Sequence, residues 1–371
     1  MKIAVDGRHL AEKNPTGVCR ATLSLLTELC LVAKEGDEIE IVTTGSAHTR
    51  AAAAQVIKQL PRPVIHTHRL IPNRLLHAGI LLGRRPLFES LCQSPPDVIW
   101  LPNLHFFSTK RPYVLSVHDV SFLLHAPWFS KKDRLWHTLV GPCRLMRQAR
   151  VVIVPSRTTA HDVAALVPKT EGHTRVALHG IDARFTSEKS PRDSGIRSKY
   201  HLPILYVLHV GTWEVRKNIP GLLAALSLLP HVHLVSVGSK AARHMVPESL
   251  RSRVHILGYV PEDDLPALYR NAAALVFPSF YEGFGLPILE AFAYGVPVVT
   301  SAVSATREVA GHAALLVDPK RADHIAAAVR ELLRDEALGS QLVSAGYARV
   351  SLFAWEKAAA TLYGALADAS A

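Results

Sequence analysis

The sequence predicts an α/β protein with two doubly wound domains that face a central cleft. Three observations support this fold class. The 371 residues exceed what one hydrophobic core usually holds. Short apolar runs alternate with helical stretches, as they do in parallel sheets that are covered on both faces. The same alternation restarts after a polar, proline-containing stretch that reads as an interdomain linker.

The domain boundaries follow from this change of composition. They place an N-terminal domain at residues 1–180, a linker at 181–203, a C-terminal domain at 204–350, and a closing helix at 351–371. The closing segment places Trp355, Leu362 and Leu366 on one helical face, so we expect it to pack back toward the N-terminal domain.

Each half supplies six strand candidates. The first half has KIAVDG, IEIVTTG, PVIHTHRL, DVIWLPN, YVLSVHD and VVIVPS. The second half has ILYVLHVG, HVHLVSVG, RVHILGYV, AALVFPS, VPVVT and AALLVD. These short apolar runs are typical of buried parallel strands, with ligand-binding loops at their carboxyl ends.

Composition limits the classes of function. A formal net charge of +11 predicts an acidic partner, and a membrane surface or phosphates rank ahead of nucleic acid, for which the sequence shows no motif. The alternative is a basic surface with no partner. The four cysteines show no metal-binding spacing and indicate reduced thiols. The N-terminus lacks a signal-peptide core, and there is no apolar run long enough to span a bilayer. A cytoplasmic protein is therefore expected.

The most informative motif is YEGFGLPILE at residues 281–290, between two predicted buried strands. Gly283 and Gly285 precede a helix whose first turn contains a proline. Its unpaired N–H groups and the positive end of its dipole form an anion site. Glu282 and Glu290 flank this site, which suits a ligand with both hydroxyls and phosphates. Alternatively, each glutamate caps the helix or stabilises its dipole, with Glu290 in the first turn.

A second strand-to-helix turn carries GTWEVRKN at residues 211–218. Arg216 and Lys217 lie at its mouth, where fixed cations can meet a phosphate. The alternative is that both are ordinary surface cations.

Two candidates lie in the first domain. His118 follows the strand YVLSV at its carboxyl end, toward the predicted cleft. Gly17, at the first loop-to-helix junction, could let the backbone approach a phosphate. A structural histidine and an ordinary turn glycine are the alternatives.

With these motifs assembled, the chain resembles the family-four retaining glycosyltransferases, which have the GT-B fold of two Rossmann-like domains. The resemblance covers nearly the whole length. It depends on DGR and PTG near the N-terminus, then SVHDVSF, VIVPSRTT, VGTWEVRKN, LVFPSFYEGFGLPILEAFAYGVPVVTS and EVAGHAALLVDP. Three positions depart from the family pattern: Cys19 replaces a common glycine, His179 a common asparagine, and Val215 a common proline.

The resemblance implies a role for each candidate. Glu282 would hold the donor sugar, and Glu290 the nucleotide ribose. Lys217 and Arg216 would bind the donor diphosphate, and His118 would lie near the reaction centre. The implied catalytic residues are His118, Glu282, Lys217 and Arg216. The implied donor-binding residues are Gly17, Gly211, Thr212, Gly283, Phe284, Gly285, Leu286 and Glu290.

The implied reaction is retaining transfer of a hexose from a sugar nucleotide. The bond between the anomeric carbon and the diphosphate breaks, and charge grows on the leaving phosphate. The two cations and the N–H groups near Gly283 would stabilise that charge. Because they can replace a metal ion, no metal or other cofactor is expected. No nucleophile is assigned, since the resemblance implies attack from the same face as the departing phosphate.

Donor and acceptor are expectations of the same kind. The motifs are similar to those of bacterial mannosyltransferases, so GDP-mannose is the first expectation and a UDP-hexose the second. The expected acceptor is a glycan or polyprenyl-linked glycan of a cell-surface polysaccharide such as lipopolysaccharide. A GT-B-like sugar-nucleotide epimerase and a non-catalytic nucleotide-sugar-binding protein are the alternatives.

Two segments of the first domain bear on location. Residues 69–86 and 131–150 mix basic with large apolar side chains, as interfacial segments do. They predict peripheral contact with the anionic cytoplasmic face of the inner membrane. Ordinary amphipathic helices packed on the sheet are the alternative.

Overall fold

The computed structural model describes residues 1–10, 17–181, 191–238 and 243–371. These residues form two compact units, Met1–Gly180 with Ala354–Ala371, and Ile181–Phe353. The proline and threonine of the PTG motif, and residues 182–190 of the predicted linker, lie outside the described part of the chain.

Within the described residues, the first unit has a seven-stranded parallel sheet in the order β3-β2-β1-β4-β5-β6-β7. Its strands are β1 (Lys2–Asp6), β2 (Glu38–Thr44), β3 (Ile65–Arg69), β4 (Val98–Leu101), β5 (Tyr113–Ser116), β6 (Val151–Val154) and β7 (Thr174–Val176). The α-helices that precede β7 in this unit are α1 (Gly17–Val32), α2 (Ala47–Ile57), α3 (Asn73–Gly83), α4 (Ser121–Leu124), α5 (Lys131–Val140), α6 (Pro142–Gln148) and α7 (Arg157–Leu166).

Strands β4, β5 and β6 of this sheet are buried along their full length. Strand β4 is an apolar run, and its Trp100 satisfies its indole N–H by donating to Ser116 Oγ on β5 at 3.0 Å. Strand order reverses between β1 and β4, and loops at the carboxyl ends of strands on either side of such a point are free to form a ligand site. The short edge strand β7 was not predicted, because three half-buried residues show no apolar run.

The second unit has, in its described part, a six-stranded parallel sheet in the order β10-β9-β8-β11-β12-β13. Its strands are β8 (Tyr206–Val210), β9 (His233–Val237), β10 (Val254–Gly258), β11 (Ala274–Phe277), β12 (Val298–Ser301) and β13 (Leu315–Val317). Its helices are α8 (Pro191–Tyr200), α9 (Ile219–Ser227), α10 (Leu265–Arg270), α11 (Leu286–Ala293), α12 (Ser304–Ala310), α13 (Ala322–Arg334) and α14 (Glu336–Val350). The predicted architecture of two doubly wound parallel-sheet domains is confirmed.

Helix α8 lies inside the stretch that the sequence assigned to a linker. Its contacts are polar: Arg270 Nε donates to Asp193 Oδ2 at 2.8 Å, and Arg197 Nε donates to Asn271 Oδ1 at 3.0 Å. Because these bonds join α8 to α10 and its C-terminus, this part of the stretch is an element of the second unit. The helix was missed because its sequence has almost no apolar periodicity.

The C-terminal helix α15 (Trp355–Ser370) belongs to the first unit and packs on α1 and the sheet. Tyr363 donates its hydroxyl to Asp37 Oδ2 at 2.7 Å, which fixes the helix beside the start of β2. Gly180 allows the chain to approach closely, since a Cβ there would lie 2.2 Å from the backbone nitrogen of Trp355.

Candidate active site

The two motif loops of the second unit meet because they follow neighbouring strands. GTWEVRKN follows β8, and YEGFGLPILE follows β11, which pairs with β8. The order of strands reverses at this pair. The backbone N–H of Phe280 donates to the Arg216 carbonyl at 2.7 Å and ties one loop to the other.

Three of the four predicted catalytic residues form one ion cluster. Lys217 Nζ donates to Glu282 Oε1 at 2.5 Å, and Arg216 Nη1 donates to Glu282 Oε2 at 2.6 Å. The Glu282 and Lys217 side chains are only 7% and 9% exposed. Arg216 Nε also donates to Glu214 Oε2 at 3.0 Å. Arg216 is therefore held between two carboxylates, and Lys217 is held by Glu282.

The electrostatics of the cluster keep its members charged. Burial acts to raise the pKa of Glu282, but the Lys217 and Arg216 cations outweigh it and lower that pKa to about 2. Burial lowers the pKa of Lys217, and the Glu282 carboxylate opposes that shift. An ionised carboxylate can accept about four hydrogen bonds, so Glu282 has acceptor capacity beyond its two cations.

Asn218, which the sequence reasoning did not single out, holds this site together. Its backbone is left-handed, with φ of 55°, and its Oδ1 accepts from Gly221 N at 3.2 Å to cap α9. Its buried Nδ2 donates to the carbonyls of Pro278 at 3.1 Å and Pro319 at 2.6 Å. One side chain thus joins the loops after β8, β11 and β13. Asparagine is among the few residues suited both to this backbone and to capping, which was the available signal.

The second loop enters its helix directly after a glycine, where the sequence predicts the helix to begin. Helix α11 begins at Leu286, directly after Gly285, whose φ of 114° favours glycine. Earlier in the same loop, the backbone N–H of Glu282 donates to Ser304 Oγ at 3.0 Å. The backbone of Ser304 is itself left-handed, with φ of 53°. Backbone N–H groups at the start of this eight-residue helix are oriented as an anion site requires.

Glu290 lies in the second turn of α11, so the alternative of a first-turn dipole role is wrong. Its side chain is buried, and its Oε2 accepts a hydrogen bond from the Tyr269 hydroxyl at 2.7 Å. Tyr269, a second residue that sequence reasoning missed, is buried on α10, and its ring is tilted against that of Tyr294 with centroids 5.5 Å apart. Its sequence context is an ordinary apolar helix face, which gave no signal.

Three further predicted donor-binding residues of this unit are Gly211, Thr212 and Phe284. The first two belong to the GTWEVRKN loop, and Phe284 belongs to the YEGFGLPILE loop. Gly211, with φ of 155°, lies against Lys217, since a Cβ there would be 3.4 Å from the lysine Cε. Thr212 accepts from Glu214 N at 2.9 Å through its backbone carbonyl. The Phe284 ring instead packs inside the unit against Phe353, with centroids 5.8 Å apart.

In the first unit, His118 follows β5 and is neutral. Its Nε2 donates to the Pro102 carbonyl at 2.9 Å, which leaves Nδ1 as a hydrogen-bond acceptor. Burial lowers its pKa. The neighbouring Asp119 accepts from Ser121 N at 2.9 Å, and the ring of His179 lies 5.8 Å from that of His118. The His179 ring packs in turn against Trp355 of α15, with ring centroids 5.1 Å apart.

A buried ion pair lies at the carboxyl end of β1. Arg8 Nε donates to Asp6 Oδ1 at 2.8 Å, and Arg8 Nη2 donates to the Phe106 carbonyl at 3.0 Å. Burial raises the pKa of Asp6, but the Arg8 cation dominates and lowers it to about 2. Burial also lowers the pKa of His9 to about 4 and that of His105 to about 3. The DGR motif therefore forms a buried ion pair next to His9, and His9 in turn interacts electrostatically with His118.

Gly17 begins α1, and the space where its Cβ would lie is open. A side chain there would meet no described atom, so sterics do not require glycine. Cys19 lies two residues further along α1, where its buried Sγ donates to the His9 carbonyl at 3.7 Å.

The described residues include neither a membrane-spanning helix nor a metal-binding cluster. No described helix combines the length and the apolar character needed to cross a bilayer. Across residues 1–10, 17–181, 191–238 and 243–371, no three His, Cys, Asp or Glu side chains are grouped so as to hold a metal ion.

Comparison with known proteins gives matches along both units. A family model described as Glycosyltransferase Family 4 matches residues 17–185, and one described as Glycosyl transferases group 1 matches residues 196–349. O-antigen chain mannosyltransferase B of Escherichia coli is 30% identical over 368 residues, which cover 92% of this chain and 93% of that protein. The serotype-specific mannosyltransferase WbdA of Escherichia coli is 33% identical over 181 residues, 45% of this chain and 22% of WbdA.

Solved structures agree on the fold. Sucrose-phosphate synthase from Thermosynechococcus elongatus superimposes with a TM-score of 0.76 at 22% identity and full coverage, 100% of both chains. Anabaena HepE in complex with UDP-glucose superimposes with a TM-score of 0.74 at 20% identity, over 99% of this chain and 100% of HepE. The GT-B fold class expected from the sequence is confirmed.

Proposed function

The chain belongs to glycosyltransferase family 4, and from that premise we propose that it transfers an α-mannosyl group from GDP-mannose, with retention of configuration and without a metal ion. The acceptor that we propose is a glycan or polyprenyl-linked glycan of a cell-surface polysaccharide. The mannosyltransferases of Escherichia coli among its relatives favour this donor. A UDP-hexose is the second candidate, because HepE, which shares the fold, was solved with UDP-glucose.

The observation that carries the proposal is the cluster of Glu282, Lys217 and Arg216 at the ends of β8 and β11. A sugar diphosphate needs cations for its phosphates and an acceptor for its sugar hydroxyls. This cluster offers both, because the Lys217 and Arg216 nitrogens lie 2.5 and 2.6 Å from the Glu282 oxygens. Because the cations are already in place, they stabilise the charge that develops on the leaving phosphate without reorganisation. The N–H groups at the start of α11 add further donors.

The remaining residues fit the other parts of such a donor. Glu290, held by Tyr269, is a buried carboxylate suited to accept hydrogen bonds from the two ribose hydroxyls. His118 presents a neutral Nδ1 that can accept from a sugar hydroxyl. We assign no protein nucleophile, and the departing phosphate takes the acceptor proton in the reaction we propose.

We also propose that the first unit contacts an anionic membrane surface on its cytoplasmic side. Helices α3 and α5 both flank the loop after β4, where His77 stacks on Phe106 at 4.8 Å and Trp136 meets the same ring at 6.1 Å. Their outer faces expose leucines, including Leu82 at 87% and Leu135 at 60%. Lysines and arginines lie beside these leucines, as in interfacial helices.

The decisive experiment measures nucleotide release from GDP-mannose and from UDP-hexoses, with and without a membrane glycan extract and a chelator. We expect release that depends on the extract, continues with chelator, and gives an α-linked product by NMR. Lys217→Gln should lower the rate by about 10²- to 10³-fold. Lys199→Gln is the matched control, because Lys199 also pairs with a carboxylate in this unit, at 2.5 Å from Asp264.

Other outcomes would separate the alternatives. Conversion of the sugar nucleotide into an isomer without an acceptor would indicate an epimerase, and binding without turnover a non-catalytic protein. Chelator-sensitive release would contradict metal independence. Equal turnover in the two lysine variants would remove the role of the cluster.

Vesicle flotation tests the membrane contact. Leu82→Gln with Leu135→Gln should weaken salt-sensitive binding to phosphatidylglycerol vesicles. Ile204→Gln with Leu228→Gln, at exposed apolar positions of the second unit, should leave it unchanged. Equal flotation of the two double variants would contradict docking through α3 and α5.

A further inference from the structure

A basic cavity lies in the first unit, at the end of the sheet opposite to His118. It has a volume of about 560 Å³ and lies where β5 and β6 begin, since Arg150 N donates to the Tyr113 carbonyl at 2.9 Å. Its cationic lining, within the described residues, consists of Arg84, Arg85, Lys110, Arg111, Arg144 and Arg150. The loops of the ion pair Asp6–Arg8 and of His118 follow the carboxyl ends of their strands, so the cavity is a separate site.

The charge of this cavity is not balanced by the described protein groups. Among the ion pairs of the described chain, none joins any of these six cations to a carboxylate. The nearby Glu89 accepts instead from the Thr109 hydroxyl at 2.7 Å and from Lys110 N at 2.9 Å. The buried Nε of Arg144 has no hydrogen-bond partner in the described structure. Like charges gathered without counter-charge repel one another, and a bound anion would relieve that repulsion.

The backbone that carries two of the arginines is fixed in place. Arg84 is left-handed, with φ of 52°, and its N–H caps α3 by donating to the Gly79 and Ile80 carbonyls. A Cβ on Gly79 would lie 2.6 Å from the Arg85 carbonyl oxygen, so the glycine lets this turn close against the helix. The guanidinium groups are therefore presented by a defined turn rather than by a loose tail.

We propose that this cavity binds a phosphate or diphosphate group. Arginine guanidinium groups match phosphate oxygens with paired N–H donors, and five arginines here converge on one space. Two sources carry that chemistry, a free phosphorylated metabolite and the headgroup of a phospholipid. The exposed Leu81 and Leu82, next to Gly83 in the cavity lining, give a lipid source an apolar contact as well. Ligand binding in this cavity does not depend on the donor chemistry proposed above.

The test compares Lys110→Gln with Arg111→Gln against a matched control, Arg50→Gln with Lys58→Gln. All four side chains are exposed on the first unit, and each double variant removes two positive charges. Calorimetric titration with inorganic pyrophosphate tests a free ligand, and flotation with phosphatidylcholine vesicles, with and without phosphatidylglycerol, tests a lipid. Pyrophosphate bound at the donor site is common to all variants, so only the difference between them counts.

The expected result is a loss of affinity of about 10-fold or more in the cavity variant, in one arm of the test, with no change in the control. Loss in the pyrophosphate arm assigns a free metabolite, and loss in the vesicle arm alone assigns a lipid headgroup. Thermal unfolding should be equal in both variants because the substituted residues are exposed. Equal binding by the cavity variant and the control in both arms would overturn the proposal. The proposed glycosyl transfer would not be affected by that result, because it is tested separately by nucleotide release from the wild type.

Discussion

The hydroxyl of Tyr269 and the carboxylate of Glu290 share a buried hydrogen bond of 2.7 Å. Both groups belong to helices, α10 and α11, that precede and follow β11 in the chain. A buried carboxylate is best positioned when a neighbour fixes its rotamer, and a tyrosine on a separate helix does this without adding charge.

Tyr269→Phe should therefore weaken donor binding without unfolding the protein. We expect KM for the sugar nucleotide to rise by about 10-fold, because Glu290 loses the group that orients it. Tyr206→Phe is the matched control, since Tyr206 is equally buried in the same unit and donates to the Leu268 carbonyl at 2.7 Å. Similar Tm losses with a KM change in Tyr269→Phe alone would support the positioning role, whereas equal KM changes would contradict it.

Glu282→Gln should cost stability as well as activity. The substitution leaves Lys217 buried without its nearest counter-charge, and breaking a buried pair costs about 3–5 kcal/mol. Glu214→Gln removes a carboxylate from the same Arg216, but its side chain is 38% exposed, so the loss should be under about 1 kcal/mol. Urea denaturation measures both. Equal losses would show that the interior pair with Lys217 is not what stabilises the loop.

The stability of the protein should fall as the pH drops from 7 toward 5. Burial lowers the pKa of His209 to about 4, with Lys217 adding to the shift, and burial likewise lowers the pKa of His9 to about 4. Below the ordinary histidine pKa the unfolded chain binds protons that the folded chain does not, so protonation favours unfolding. Each such histidine contributes about 2 kcal/mol of this loss at pH 5.

This loss is measured from denaturant midpoints at pH 7.5, 6.0 and 5.0, which bracket the ordinary histidine pKa of about 6.5. His209→Gln should flatten the decline, and the exposed His48→Gln should not. The carboxylates lose their contribution to stability at lower pH than the histidines do. The contribution of Glu282 is present above its ordinary pKa of 4.5 and is lost as the pH falls toward its folded-state pKa of about 2. An identical slope in His209→Gln and wild type would contradict the assignment.

Asn218→Ala should loosen the junction of three loops. It removes the cap of α9 and leaves the Pro278 and Pro319 carbonyls without their donor, at a cost of about 2–4 kcal/mol. Asn218→Gly keeps a residue suited to a φ of 55° and removes only the side chain. If the glycine variant is as stable as wild type, the backbone conformation rather than the side-chain bonds is the important feature. If both variants lose donor affinity, the side-chain bonds position the Lys217 loop.

Much of the fold followed from local sequence. The buried runs of β1, β4, β8 and β11 are short apolar segments that only a two-sided parallel sheet can bury, so their positions were predictable. Helix α8 was not, because Asp193 and Arg197 hold it through polar partners more than 70 residues away. Such contacts leave no periodic signal in the helix itself.

The sequence by itself determined which residue types stand at the ends of the strands: Lys217 and Arg216 in one loop, and Glu282 and Glu290 in the other. The spacing of these residues relative to strands and glycines is local information, so a linear pattern contains it. Only the tertiary structure decided that Glu282 pairs with both cations, that Tyr269 holds Glu290, and that Asn218 joins three loops. Those relationships depend on strand order and helix packing, which bring together residues far apart in the chain.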